Sequence, residues 1–414
     1  MRSVASFLLS LVAAAAASTV VCGSPSLHLN FCFGLTILKQ NPDGSLVLNR
    51  PFAVPEAAAV LRAIRDVNDR NCSILGAGCA NLVALPDGKF TTVKEYVMDM
   101  RTFAQVAGPR AVFNCEGLGG HAMLGLHSSI MNDAAAALAH SFRTPVMSYS
   151  AVSPHLSEQN LYKFFTRTCF SSAIIARNMV NLYRHLGWKT VASIYENDIQ
   201  GFDYNEVFTG LAREANINVL SYGVVPAGSM VFPVWEFYNK SDPEGERVRS
   251  DWRGALEFLR FHNIKVVHTS FNYARFVFFA NLALDDGVDM AQYQWSGAEL
   301  PTLEDLGACL NNPADPVVRN QSGIYPGALH GVVSLQHGLS STILEREARL
   351  ADHMRDFKVV ELSSVLRDPD GVPDPTLPEA VTSTIDRFLG NNRTTWGALK
   401  AYDSVWAMAA AFTK

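Results

Sequence analysis

The sequence predicts an α/β protein of two lobes, each a doubly wound, mostly parallel sheet with helices on both faces. Three observations carry this expectation. After residue 25, apolar runs of strand length alternate with segments of helical periodicity, the pattern of repeated βαβ units. These units outnumber what one open, twisted sheet accommodates. A chain of 414 residues, 48% hydrophobic and 18% charged, also holds enough apolar mass for roughly two to three domain-sized cores.

Residues 29–38 read as the first strand. Residues 55–68 read as a helix, because Ala58, Leu61, Ile64 and Val67 recur at three- and four-residue spacing and Pro55 sits where a first-turn proline is tolerated. The run AVFNCE, residues 111–116, is strand-like. A helix is expected over 132–141, a strand over 145–150, a helix over 171–186 stopped by Gly187, and a strand over 190–195. The alternation continues with a helix at 204–215, a strand at 218–223, a helix at 252–261, a strand at 264–270 and a helix at 273–285. Residues 154–167 are rich in Tyr and Phe but follow neither period, which suits a crossover between lobes. A second crossover is expected at 295–301, where a strand ends in WSGAELP. The Asp-, Pro- and Gly-rich stretch 367–379 reads as an exposed loop.

Residues 1–23 read as a secretory signal: Arg2 supplies a positive start, residues 4–17 form an apolar run, and Ala15, Ala17 and Ser18 offer a cleavage site. The run is shorter than the ~20 residues that span a bilayer. The alternative to a cleaved signal is an uncleaved anchor. A formal charge of −5 without any basic run argues against a nucleic-acid or anionic-membrane partner, since both need clustered Lys and Arg against phosphates. Seven cysteines suit an oxidising compartment. Setting Cys22 aside leaves Cys32, Cys72, Cys79, Cys115, Cys169 and Cys309; their pairing is open, and none has zinc-ligand spacing, so no metal is expected. Asn71, Asn239, Asn320 and Asn392 each open a glycosylation sequon.

In open α/β sheets, ligands bind beyond the carboxyl ends of the strands. Ser128 and Ser129 lie just before the helix expected near Asn132, where hydroxyls, first-turn N–H groups and the helix dipole together suit a carboxylate. The alternative for each is a helix cap. Ser150 ends the next strand; its alternative is a solvated strand-end hydroxyl. For catalysis the signals are poor. No G-x-S-x-G elbow or H-E-x-x-H helix occurs, and His121, His127 and His140 read as surface or capped residues. GLGGHA, residues 117–122, satisfies a dinucleotide fingerprint after a strand-like run, but neither a helical pattern nor a well-placed acid follows it. The expectation is a protein that is not an enzyme and carries no cofactor.

The stretch SYSAVSPHLSEQNLYKFFTRT, residues 148–168, is followed by ARNMVNLYRHLGWKTVASIYEND. Together they resemble the lobe-crossing segment of type I periplasmic-binding-protein-like receptor ligand-binding regions. These belong to class C G-protein-coupled receptors of the metabotropic glutamate and GABA-B types and to natriuretic-peptide receptors. AYDSVWAMAAAF, near the end of the chain, is similar to a helix of the same family. The resemblance implies a Venus-flytrap fold, with lobe one drawn from 27–160 and 298–414 and lobe two from 161–297. The third crossover and the end of lobe two are then missing from this chain. It further implies an extracellular, non-catalytic domain that closes on a small molecule, forms a homo- or heterodimer through lobe one, and belongs to a longer membrane receptor.

Position by position, Ser129 matches the hydroxyl that binds the ligand carboxylate in amino-acid sensors, and Ser150 a second contact. Gln200 stands where lobe two lends a tyrosine, before Gly201, and Tyr273 near where GABA-B-like members supply an aromatic; because the local spacing differs, the alternative for Tyr273 is core or rim packing. Trp188 matches a packing residue. Besides Gln200, three positions depart from the pattern: Val152 replaces the threonine that receives an ammonium, Ser172 an aspartate, and Cys169 a histidine. Valine accepts no hydrogen bond, and an unpaired ammonium in a closed cleft costs on the order of several kcal/mol. The resemblance thus implies a carboxylate-bearing ligand without a conventionally held α-amino group. The alternatives are a secreted solute-binding protein, a non-binding dimerisation ectodomain and, most remotely, an NAD-binding oxidoreductase.

Overall fold

The computed structural model describes residues 27–40, 43–48, 53–101, 105–226, 243–271, 273–298, 333–335, 341–354, 362, 365–373 and 396–414. The expected signal segment, Cys22, Cys309 and the sequons at Asn239, Asn320 and Asn392 lie outside the described residues. The chain divides into two compact units, one drawn from Met1–Val152, Leu156–Phe170 and Leu339–Lys414, the other from Ser153–His155 and Ser171–Gly338.

The first unit opens with β1 (Leu27–Leu35), a hairpin of β2 (Leu38–Gln40) and β3 (Leu46–Leu48), α1 (Ala53–Asp69) and β4 (Thr91–Asp99). There follow α2 (Ala107–Gly117), β5 (Ala122–Gly125), α3 (Ser129–Phe142), β6 (Val146–Ser148) and β7 (Phe165–Arg167). The second unit contributes α4 (Ser172–Leu186), β8 (Thr190–Glu196), α5 (Ile199–Glu214), β9 (Asn218–Val224), α6 (Pro243–His262), β10 (Val266–Thr269), α7 (Tyr273–Asp285), β11 (Gln294–Ala298) and β12 (Val333–Leu335). The chain then returns to the first unit with α8 (Ser341–Met354), β13 (Leu366–Arg367) and α9 (Trp396–Thr413). The first sheet runs β13-β4-β1-β5-β6-β7 and the second β12-β11-β10-β8-β9, with every pairing parallel. The predicted α/β class, two parallel sheets with helices on both sides, is what the chain adopts.

Successive residues of a strand face opposite sides of its sheet. In β1, Phe31 and Phe33 join a core with Val54, Ala58 and Leu61 of α1 and Leu399, Tyr402 and Trp406 of α9. Between them, Cys32 turns to the other face and is disulfide-bonded to Cys115 of α2, with the Cα atoms 5.6 Å apart. A second disulfide, Cys72–Cys79, closes the loop after α1, and Cys169 is a free, buried thiol. The second unit centres on Trp252, Phe271, Phe276, Phe279 and Trp295, all buried. Each such side chain contributes about 1.5–3 kcal/mol by leaving water. Trp188 packs against Tyr183 at 5.2 Å between ring centroids, beside the neighbouring cluster of Met179, Tyr204 and Phe208.

Several boundaries differ from expectation for identifiable reasons. AVFNCE is helical: it lies within α2, where Pro109 occupies the first turn and Ala111, Val112 and Cys115 are buried on one side. GLGGHA therefore follows a helix and precedes a strand, the reverse of the dinucleotide order. Its glycines have a packing purpose. Gly119 has φ +69°, and a methyl on Gly120 would stand 2.5 Å from Cys32 Sγ and nearer still to Cys115 Sγ. The strand expected over 29–38 divides because the Asp99 carboxylate accepts from Ile37 N at 3.2 Å and Leu38 N at 2.9 Å, turning the chain out of the sheet. The expected crossover 154–167 ends as β7, an edge strand paired with β6. Val333–Leu335 pairs with β11 in the second sheet, although the reading placed everything after 298 with lobe one. Part of the expected loop 367–379 is anchored: Asn114 Nδ2 donates to Pro369 O at 2.6 Å, and Arg110 Nε to Asp370 Oδ1 at 3.1 Å.

Beneath the second sheet lies a closed polar network. His268 of β10 is wholly buried, its Nδ1 2.8 Å from Tyr183 Oη and its Nε2 2.9 Å from Tyr204 Oη, while Tyr183 Oη also meets Ser296 Oγ at 2.5 Å. The ring stacks on Phe208 at 4.2 Å. Burial pushes the imidazole down to about 3. In the unfolded chain it titrates near 6.5, so below that pH the unfolded state binds the extra proton and stability falls. The expected contribution is fully present above about pH 6.5 and smaller by about 2 kcal/mol at pH 5. A heteronuclear NMR spectrum should show His268 neutral at pH 5; an imidazolium there would refute the buried network. Gly120→Ala should lower stability by about 1–3 kcal/mol in chemical denaturation of the oxidised protein, as overpacking does. Gly117→Ala, with open space around it, should not.

Candidate functional site

At the carboxyl end of the first sheet the chain leaves β5 through two residues of positive φ, Gly125 at +96° and Leu126 at +51°. A side chain at Gly125 would meet Gly34 O at 2.5 Å, so β1 itself demands glycine there. Leu126 is strained for an L-residue and is held from several sides. Its N–H donates to Gly34 O at 2.8 Å, and its carbonyl accepts from Asn132 Nδ2 and, at 3.4 Å, from Ser148 Oγ. Asn132 is fully buried and also donates to Ser128 O at 2.9 Å. Ser148 Oγ in turn accepts from Ser150 N at 3.3 Å and Ala151 N at 3.0 Å. One carboxamide and one hydroxyl thus fix the loops that follow β5 and β6.

These loops bring Ser128, Ser129 and Ser150 to the same end of one sheet. Ser128 is the N-cap of α3, and its Oγ accepts from Met131 N at 3.2 Å. The helix starts at Ser129, three residues earlier than the periodicity predicted, and Ser129 is buried in its first turn. Ser150 is half-buried, with Oγ 3.1 Å from His127 Nε2. His127, read from sequence as a surface or capped residue, is in fact central. The same Nε2 lies 3.8 Å from Glu56 Oε1, and its ring stands edge-on to Tyr149. Glu56, buried at the start of α1, accepts from Tyr149 Oη at 2.9 Å. A sequence signal for Glu56 existed: a lone acid within the apolar run AVPEAAAV. Because Ser150 and Glu56 meet one nitrogen of His127 rather than opposite ones, the three do not form a nucleophile–base–acid relay.

The departures from the amino-acid-sensing pattern also have structural form. Ala151 O, beside Val152, accepts from Arg167 Nη1 at 2.9 Å and from Cys169 Sγ at 3.4 Å. Burial raises the Cys169 thiol above its ordinary range, so the group standing in the place of a histidine is a neutral donor. Ser172 is buried in the first turn of α4, whose N-cap is Ser171.

In the second unit, Gln200 and Tyr273 head helices that follow β8 and β10, which are paired neighbours, so both lie at the carboxyl end of the second sheet. Gln200 is half-buried in the first turn of α5, whose cap Asp198 accepts from Gly201 N at 2.7 Å. A side chain at Gly201 would strike Glu196 O, which explains the glycine after Gln200. Tyr273 is the first residue of α7; its side chain lies outside those described. The sequence reading missed the Glu196–Arg275 pair, which joins β8 to α7 at 2.6 Å with both side chains buried, and Ser153, which donates to Asp203. No group of three or more His, Cys, Asp or Glu residues able to hold a metal occurs among the described residues, and among them no helix is long and apolar enough to cross a membrane.

The profile of the receptor family ligand binding region matches residues 56–244, from α1 of the first unit into α6 of the second. Taste receptor type 1 member 3 of Felis catus is 32% identical over 105 residues, 25% of this chain and 12% of that receptor. Its counterpart from Mus musculus is 25% identical over 201 residues, 46% of this chain and 23% of the receptor. Metabotropic glutamate receptor 6 of Rattus norvegicus is 30% identical over 112 residues, 27% of this chain and 12% of the receptor. The chain therefore spans between about an eighth and a quarter of the length of these relatives. The resemblance seen in SYSAVSPHLSEQNLYKFFTRT thus extends over a long stretch: residues 56–244 carry the pattern of a receptor family ligand binding region.

Proposed function

We propose that this chain forms the extracellular ligand-binding region of a cell-surface receptor and closes as a clamshell on a small, carboxylate-bearing ligand. The observation that carries this reading is the gathering of Ser129, Ser150 and the first turn of α3 at the carboxyl end of the first sheet, in a chain matched to receptor ligand-binding regions. A first turn leaves backbone amides without intrahelical partners, and the helix dipole favours an anion there. Gln200 and Tyr273 supply the second unit's contribution. Ligand contacts made only in the closed form shift the equilibrium toward it. An α-ammonium finds poor provision in the first unit: Val152 accepts nothing, and Glu56 is already engaged by Tyr149 and His127. Signalling passes to a module beyond this chain.

A second reading, dimerisation without ligand, draws support from an apolar patch on α2 and α3. Phe113 and Phe142 meet edge to face at 5.4 Å and are both exposed, and Val106, at the N-terminus of the helix that carries Phe113, is 71% exposed. The readings separate in a thermal-shift series on the full chain with GABA, succinate, L-glutamate and glycine. We expect GABA or succinate to raise Tm, and Ser129→Ala or Ser150→Ala to abolish the shift. Ser128→Ala should cost about 1 kcal/mol of stability as a lost cap while leaving the shift in place. No shift from any probe would favour the non-binding reading; a shift indifferent to both serines would move the site elsewhere.

A further inference from the structure

Apart from the sheet mouths, the first unit contains a second concentration of polar groups, centred on one nitrogen. His353, near the end of α8, has Nε2 2.6 Å from Arg62 Nη2, 2.9 Å from Ser73 Oγ, 3.2 Å from Asn71 Nδ2 and 3.9 Å from Asp66 Oδ1. A guanidinium has only donors to offer, as has a carboxamide nitrogen. Contacts this close from Arg62 and Asn71 require a lone pair on Nε2, hence a neutral ring protonated on Nδ1. A proton on Nε2 would turn the acceptor into a donor facing a cation.

We propose that His353 is an acid-sensitive latch: neutral, it holds α8 on α1 and on the Cys72–Cys79 loop; protonated, it loosens the helix.

The surrounding charges support that direction. From α1 come Arg62 and Asp66. The Asp66 carboxylate is already occupied, at 3.2 Å from Arg62 Nε, 3.1 Å from Asn71 Nδ2 and 2.8 Å from Tyr402 Oη of α9. Asp403 of α9 is paired with Arg346 of α8, Arg349 donates to Ile74 O at 3.2 Å, and Asp352 of α8 is exposed. Asn71 and Ser73 add no charge. Burial and Arg62 hold the His353 imidazole below its ordinary range, and Asp66 opposes them without prevailing. A released imidazole titrates near 6.5 and takes the proton more readily than the docked one. Docking is therefore complete above about pH 6.5 and weakens up to about tenfold per pH unit below it, until the docked ring itself titrates.

The cradle also consumes a sequon. Asn71 Nδ2, the atom that would carry a glycan, donates to both Asp66 and His353, and Asn71 Oδ1 accepts from Ser73 N at 3.1 Å. A sugar would replace one of its two hydrogens, so a glycan on Asn71 would cost the cradle one of these two bonds, leaving Arg62 and Ser73 on His353.

The test is hydrogen exchange on the full chain, secreted from eukaryotic cells, comparing residues 341–354 of the wild type with those of His353→Gln at pH 6.5 and 5.5 after correction for intrinsic rates. Wild-type α8 should lose protection several-fold, at most about fivefold, and His353→Gln, which keeps an acceptor but cannot titrate, should show no such loss. Equal pH responses in both proteins would overturn the latch. If the variant fails to fold, the wild-type imidazole titration decides: a midpoint below 6.5 supports the proposal, and one at or above it refutes it.

Discussion

A parallel strand must be covered on both faces, because the crossovers that connect parallel neighbours place helices on both sides. Most of this molecule follows from that constraint. Phe31 and Phe33 of the central strand β1 turn toward α1 and α9, while Cys32 between them is tied to α2. The same rule leaves only the strand ends accessible to anything small, so polar chemistry concentrates there: Ser128, Ser129, His127 and Ser150 beyond the first sheet, Glu196, Gln200 and Arg275 beyond the second. Along β5 and most of β10 the side chains are committed to packing or, as with His268, to closed internal networks.

Within the first unit the strand ends are held in a conformation that costs energy locally. Leu126 adopts a positive φ that glycine would adopt freely, and Asn132 and Ser148 compensate by binding its carbonyl and the neighbouring backbone. The outcome is a rigid loop carrying His127 between a buried carboxylate and a serine hydroxyl. Its one buried acid, Glu56, is engaged by Tyr149 and lies 3.8 Å from His127.

How much of this was legible in the sequence depended on whether the signal was local. Helix α4 was readable because Ser171 caps it, Gly187 stops it and its apolar residues are spaced for one face. Helix α2 was misread because six residues, AVFNCE, hold too few turns to separate a helical period from a short buried strand, and the deciding residue, Pro109, lies outside the run. The start of α3 was placed late because Ser128, Ser129 and Asn132 are all competent caps; only the bond from Met131 N selects Ser128. Ser129 and Ser150 could be nominated from their positions after strands. Glu56 and His127 could not be paired, since 71 residues separate them and no periodicity links them. Glycine 120 illustrates the limit well: its GxGxxA setting pointed to a phosphate, whereas its neighbours are two sulfur atoms.

The first unit is assembled from both ends of the described chain. Phe412 of α9 lies 6.1 Å from Phe31 of β1 between ring centroids, and Thr413 Oγ1 is 2.6 Å from Thr91 Oγ1 of β4. During synthesis the ribosome delivers β1 and α1 hundreds of residues before α9, so the core they share with α9 is completed only after the chain has returned from the second unit. The nascent protein therefore leaves the part of this core that α9 covers, Phe31 included, open for most of its translation. Its yield in the cell should depend on holdase chaperones more than its finished stability would suggest.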